Sequence, residues 1–248
     1  MCFHNSLTAT VAEVEQRFEA TNKTKQADFE PVYHGNGFDF PVWPVITAQA
    51  PKSIQLFQWG LVPRWVKTKE EAEEMRANTL NAKAETLGEK PSFKYALREA
   101  QRCLIPSTGF FEWQTVGKNK YPYYIRLRNQ PIFAMAGLWE SWHNPAYPDD
   151  IWNTFSIITT EANPLMARIH NTKQRMPLLL LPGSESLWLQ KDLDTAALNE
   201  IARPLDDSLM EAFTVGRLVS HRTANSNVPE VTNPYAYPEL SQQQLSLF

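Results

Sequence analysis

Apolar positions along the chain recur with two different periods. After Thr10, the residues Val11, Val14 and Phe18 share one helical face, and Thr10 with Glu13 has capping-box spacing, which predicts a helix starting there. Residues 21–32 are polar and read as a loop. The segment Gly37 to Pro51 is crowded with proline and aromatics and reads as ordered irregular structure. Ile54 to Val62 alternates as a strand does, Lys67 to Arg76 is a charged helix, and Phe93 to Glu99 is a short one. A β-rich centre follows, with strands predicted at Arg102 to Pro106, Phe110 to Thr115, Tyr123 to Arg128, Ile132 to Trp139 and Thr154 to Thr160. Met176 to Leu181 is a strongly apolar strand. Helices are predicted at Ser184 to Gln190 and Asp194 to Ala202, and Phe213 to Val219 closes as a strand. No segment repeats. The pattern implies an α+β fold: one domain over residues 1–233, with a β-rich, largely antiparallel core flanked by short helices. A flexible tail is expected over residues 234–248.

Composition narrows the picture. With 248 residues, 43% of them hydrophobic, the chain can bury one sizeable core. No apolar run reaches membrane-span length and no signal peptide is apparent, so a cytoplasmic protein without a membrane partner is expected. Two cysteines, Cys2 and Cys103, are too few for a disulfide framework, and five scattered histidines suggest no metal site and no cofactor. Net charge is −3, which argues against nucleic acid until its distribution is considered. Residues 51–130 carry 14 Lys+Arg against 8 acidic residues, a local +6 between acidic flanks. Such a segment can meet phosphates despite the total.

The candidate chemistry lies at the start of the chain. If Met1 is trimmed, Cys2 becomes a 1,2-aminothiol, whose amine and thiol both titrate within about two units of neutrality. Its amine can condense with an aldehyde, and its thiol can then close a five-membered thiazolidine intramolecularly.

Four further segments accompany Met1-Cys2: Trp59-Gly60-Leu61-Val62-Pro63-Arg64-Trp65, Asn81-Ala82-Lys83-Ala84-Glu85-Thr86, Arg102-Cys103-Leu104-Ile105-Pro106 leading to Gly109-Phe110-Phe111-Glu112-Trp113, and Ile169-His170 followed by Arg175-Met176-Pro177. Their content and order resemble the SRAP (SOS-response-associated peptidase) family over roughly positions 1–181, with a weaker match to about 233. The resemblance implies a single SRAP-like domain that senses abasic sites in single-stranded DNA in the DNA damage response. It implies Cys2 as crosslinking nucleophile, Asn81 orienting the N-terminal residue and the sugar, Glu112 contacting the Cys amine and assisting proton transfer, and His170 protonating the sugar oxygen. It also carries self-cleavage of the leader residue and AP-lyase-like activity. Three departures stand out: Phe3-His4 replaces Gly-Arg, Lys83 replaces the motif arginine, and Asn171 to Gln174 lengthen the gap between His170 and Arg175.

Candidate contacts to single-stranded DNA are Trp59, Arg64, Trp65, Arg76, Lys83, Arg98 and Arg175, combining stacking faces with positive charge. The final residues Gln244-Leu245-Ser246-Leu247-Phe248 resemble the bacterial sliding-clamp-binding motif, with Gln244, Leu245, Leu247 and Phe248 as its contacts. A monomer is expected. Two other classes fit part of the pattern. One is an N-terminal-nucleophile cysteine amidohydrolase, which needs the same terminal cysteine; the other is a non-catalytic single-strand-binding adaptor, which would not need Cys2.

Overall fold

The computed structural model describes residues 2–22, 29–221 and 223–240. In chain order its strands are β1 (His4–Leu7), β2 (Thr21–Asn22), β3 (Val32–Asn36), β4 (Val42–Thr47), β5 (Ser53–Trp59), β6 (Asn81–Lys83) and β7 (Arg102–Ser107). They continue with β8 (Gly109–Val116), β9 (Asn119–Leu127), β10 (Phe133–His143), β11 (Ile151–Glu161), β12 (Arg175–Pro177), β13 (Leu179–Leu180) and β14 (Met210–Thr214). The helices are α1 (Val11–Phe18), α2 (Lys69–Asn78), α3 (Lys94–Arg98), α4 (Pro164–Ile169), α5 (Pro182–Trp188) and α6 (Thr195–Ile201). The α+β class and the largely antiparallel β-rich core are as expected. No helix among the described residues is long and apolar enough to cross a membrane.

Two sheets organise the chain. One runs β14-β9-β8-β1-β3, all antiparallel. In the other, antiparallel pairings link β11 to β10, β10 to β7, β7 to β4 and β4 to β5, and β5 returns to β11 in parallel through Gln58 and Phe155's neighbour Thr154. Those five strands therefore close on themselves, which removes the open edges that a flat sheet would leave. The main hydrophobic core gathers Trp43, Trp59, Phe155, Phe133 and Cys2 among many others.

Local chemistry explains where elements start and stop. Thr10 accepts from the Glu13 amide at 3.3 Å while the Glu13 carboxylate accepts from the Thr10 amide at 2.8 Å, so α1 opens on a complete capping box. Irregular structure was expected over Gly37 to Pro51, and β4 corrects it. Its Pro44 lies where β4 pairs with β5 but ahead of Ile46 and Thr47, the residues that pair with β7, so the missing N–H costs no ladder bond on that side. The last predicted strand moves back to β14, and after Gly216 the chain coils into a single helical turn at Arg217–Ser220. Met176 to Leu181 splits into β12 and β13. A tail from 234 was expected, but Pro234 still bridges Val215 and the buried Tyr237 donates to the Val215 carbonyl at 2.9 Å.

Candidate active site around Cys2

Strand alternation sorts the side chains of β8. Phe110 enters the main core, Phe111 enters a second cluster with Tyr124 and Val215, and Glu112 falls on the Phe110 face. That face is covered by α4, whose Arg168 carbonyl accepts from Gln114 at 3.3 Å. Glu112 is buried as a result. His170 caps the C-terminus of α4, and its Nδ1 lies 3.7 Å from Glu112 Oε1, too far for a hydrogen bond but close enough for strong coupling. The Nδ1 proton goes instead to the Arg175 carbonyl, 2.9 Å away, which makes Nε2 the acceptor nitrogen of the neutral ring. Among the described residues Glu112 Oε1, which is buried, has no hydrogen-bond partner.

Cys2 is fully buried in the main core, and its thiol donates to the His4 carbonyl at 3.9 Å. β1 is antiparallel to β8 with Asn5 opposite Phe110, so the residues ahead of β1 run beside Glu112. Burial, and then the Glu112 carboxylate, push the Cys2 thiol well above the usual thiol range. Burial lifts Glu112 from 4.5 to about 8, while it lowers His170 from 6.5 to about 4. Burial thus disfavours the charged form of both groups, which favours a protonated Glu112 beside a neutral His170 near neutral pH.

The motif segments meet through a chain of hydrogen bonds. Glu85 holds Arg175 in a bidentate ion pair at 2.8 and 2.9 Å, and Arg175 also donates to the Thr159 carbonyl at 2.6 Å. The Arg175 carbonyl fixes His170, which faces Glu112 and, through it, Cys2. Asn81 arrives by another route. The buried indole of Trp59 donates to the Leu80 carbonyl at 2.8 Å, immediately before Asn81. Against that indole lies Gly37, whose amide donates to the Phe3 carbonyl at 2.7 Å. A Cβ on Gly37 would stand 3.3 Å from both Phe3 O and Trp59, tighter than side chains ordinarily pack, so glycine suits the close approach. Both side-chain amide atoms of Asn81 are buried without a hydrogen-bond partner among the described residues. Buried polar atoms left unpaired are costly.

The sequence-predicted DNA contacts separate into two groups. Trp59 is completely buried and serves as a structural prop, so it offers no stacking face, contrary to expectation. Arg76 is enclosed rather than displayed. It is 9% exposed, with its guanidinium 4.1 Å from the Phe40 ring centroid and 5.2 Å from that of Trp152. The Arg175 guanidinium is occupied by Glu85, and Lys83 is exposed on β6. Trp65, 42% exposed, lines a groove with Arg64, Pro91, Lys94 and Tyr95, and Arg98 stacks 5.0 Å from the Tyr95 ring. Lys94 and Tyr95 were not singled out from sequence; the helical spacing of Lys94, Tyr95 and Arg98 was the available signal. His4, one of the departures from the family motif, turns inward: its Nδ1 is 2.8 Å from His34 Nε2 and its ring packs on Trp113. Among the described residues no cluster of three metal-ligating side chains occurs. The clamp-like residues Gln244, Leu245, Leu247 and Phe248 lie outside the described residues.

Residues 1–222 match the profile of a family described as SOS response associated peptidase (SRAP). Over 237 residues the chain is 33% identical to the abasic site processing protein YoqW of Bacillus subtilis, covering 93% of this chain and 98% of that one. It is 30% identical over 171 residues to the abasic site processing protein HMCES of Gallus gallus, covering 60% of this chain and 49% of the relative. A crystal structure of a protein from Bacteroides thetaiotaomicron superposes with a TM-score of 0.88 at 38% identity, covering 95% of this chain and all of the other.

Proposed function

The chain belongs to the SOS response associated peptidase family, and on that premise we propose that it processes abasic sites in single-stranded DNA by covalent capture through Cys2. The observation that carries this reading is the buried Glu112–His170 pair, 3.7 Å apart beside a buried Cys2. Removal of Met1 frees the Cys2 amine, which attacks the aldehyde carbon of the ring-opened sugar. The carbinolamine hydroxyl leaves as water on taking the Glu112 proton, and His170 Nε2 accepts a proton from the attacking nitrogen. The thiol then adds across the imine: sulfur bonds to carbon, its proton passes to nitrogen, and a thiazolidine closes. The product is protein plus DNA less one water.

A thiol held protonated suits this order, in which the amine acts first. It does not suit the amidohydrolase reading, which needs a thiolate at the outset. We propose Asn81 as the amide that holds the sugar, and the groove of Arg64, Trp65, Lys94, Tyr95 and Arg98 as the surface for flanking nucleotides. Self-cleavage of Met1 and lyase-like release belong to the same proposal. So does docking of Gln244, Leu245, Leu247 and Phe248 on a sliding clamp, which would carry the protein to replicating DNA in the cytoplasm. Intact mass after mixing with abasic single-stranded DNA tests the chemistry. An adduct lacking one water should form with the native protein and not with Cys2→Ala; equal yields from both would refute capture by Cys2. For the clamp, calorimetry against the host clamp should show binding that is lost on removing residues 244–248. Equal binding with and without them, or none by either, would refute it.

A further inference from the structure

The turn after His170 holds a residue that none of the motifs includes. Both backbone groups of Thr115 are taken by one side chain: its amide donates to Asn171 Oδ1 at 3.1 Å, and Asn171 Nδ2 donates to its carbonyl at 2.8 Å. Thr115 stands opposite Lys120 of β9, but its N–H and C=O point away from β9, toward the edge along which β1 pairs at Gly109 and Phe110. Asn171 thus continues that edge beyond the point where the N-terminal strand leaves it, its carboxamide standing in for a neighbouring peptide group. A second tie, from Gln114 to the Arg168 carbonyl, lies on the other side of His170. His170 is therefore bracketed, by bonds from residues two before and one after it, onto residues two and three beyond Glu112. The turn is completed by Gln174, in the left-handed region at φ 50°, whose amide donates to the His170 carbonyl at 2.8 Å. That path returns the Arg175 carbonyl to Nδ1.

We propose that Asn171 is a positioning residue: its side-chain amide docks the turn after His170 onto the edge of β8 and so sets the distance between the imidazole and Glu112. The proposal rests on the reading that these two groups move protons. The chemistry is specific to asparagine. Aspartate lacks the N–H for the Thr115 carbonyl and would set lone pairs against it, and leucine fills the same space with neither bond. The lengthened gap from Asn171 to Gln174 is then what makes the bracket, because it supplies both the docking amide and the return to Arg175.

The test compares native protein, Asn171→Leu and Asn171→Asp. Among the described residues the titratable and charged groups facing the pair are Cys2 and Lys173, with Glu85–Arg175 behind. None of these is altered. Crosslinking to abasic single-stranded DNA should slow about tenfold or more in both variants, with affinity for intact single strands held within about twofold. The alkaline limb of the pH–rate profile should move down from near 8 as water reaches Glu112, and the NMR titration of His170 should move up from near 4. Unchanged rate and titrations, with Thr115 amide exchange accelerated in the leucine variant, would overturn the proposal. So would a lower melting temperature with an unmoved pH profile. If native protein forms no adduct, the functional reading fails, and the His170 and Glu112 titrations alone still decide the role of Asn171.

Discussion

Replacing Glu112 by glutamine should make the protein more stable as it makes it less active, and the gain should depend on pH in a calculable way. The carboxyl group titrates near 4.5 in the unfolded chain and near 8 in the fold, because burial disfavours its charged form. Below about pH 4 both states hold the proton and the group has no effect. As pH rises the unfolded state releases it first, so native stability falls until the folded group also ionises near 8. The cost is about 1 kcal/mol at about pH 5 and about 3 kcal/mol at about pH 7. Glutamine does not titrate, so the advantage of Glu112→Gln over native protein should grow by about 2 kcal/mol between those conditions, or about 4–8 °C in melting temperature for a chain of this size. The depressed histidines His4, His34 and His170 are present in both proteins and largely cancel from the difference. Thermal melts at constant ionic strength measure it. Parallel melting curves for the two proteins from about pH 5 to about pH 7 would refute the assignment of a proton to Glu112 at neutrality.

The same variant should crosslink abasic DNA about 10²–10⁴-fold more slowly in single-turnover assays, as would His170→Ala, and rates within error of native would exclude both from proton transfer. Folded protein near neutral pH should resist thiol alkylation at both Cys2 and Cys103, since burial raises both thiols; rapid labelling of Cys2 would restore the thiolate-first reading. Glu85→Gln loosens the clamp on Arg175, whose carbonyl holds His170. Because Glu85 is partly exposed the stability loss should be about 1 kcal/mol or less, against a rate loss of about tenfold; a stability loss with no rate loss would sever the link to His170. Trp65→Ala or Tyr95→Ala should each cost about 1–3 kcal/mol in single-strand affinity, while Lys94→Ala should reduce the salt slope by about 0.7; affinities that ignore all three place the DNA elsewhere.

Much of the fold was legible because its cues are local. Thr10 with Glu13 announces α1, and the alternation from Phe110 to Thr115 marks β8 and sets Glu112 and Phe111 on opposite faces. β4 was obscured because Pro44 suppresses strand propensity, and only its partners reveal that no ladder bond is lost there. The candidate site divides in the same way. Cys2, Glu112 and His170 could be picked from their motifs, whereas Trp59 looked like a stacking face because an aromatic residue in a motif carries no mark of burial. Asn171 looked like an insertion, since nothing local says that its amide will find the backbone of Thr115, 56 positions away.

By itself the sequence determined most element types, the chemical repertoire and the order of the motifs, because turn residues, caps and side-chain period act over a few positions. Tertiary structure alone decided three things. The β5–β11 pairing closes the five-strand ring through residues nearly a hundred positions apart. Burial raises Glu112 and lowers His170, against the ordinary order of a carboxylate and an imidazole. Packing also divided the predicted DNA contacts, enclosing Trp59 and Arg76 while leaving Trp65 and Tyr95 at the surface. Each depends on desolvation or on a partner distant in sequence, and neither is a property of a residue's immediate neighbours.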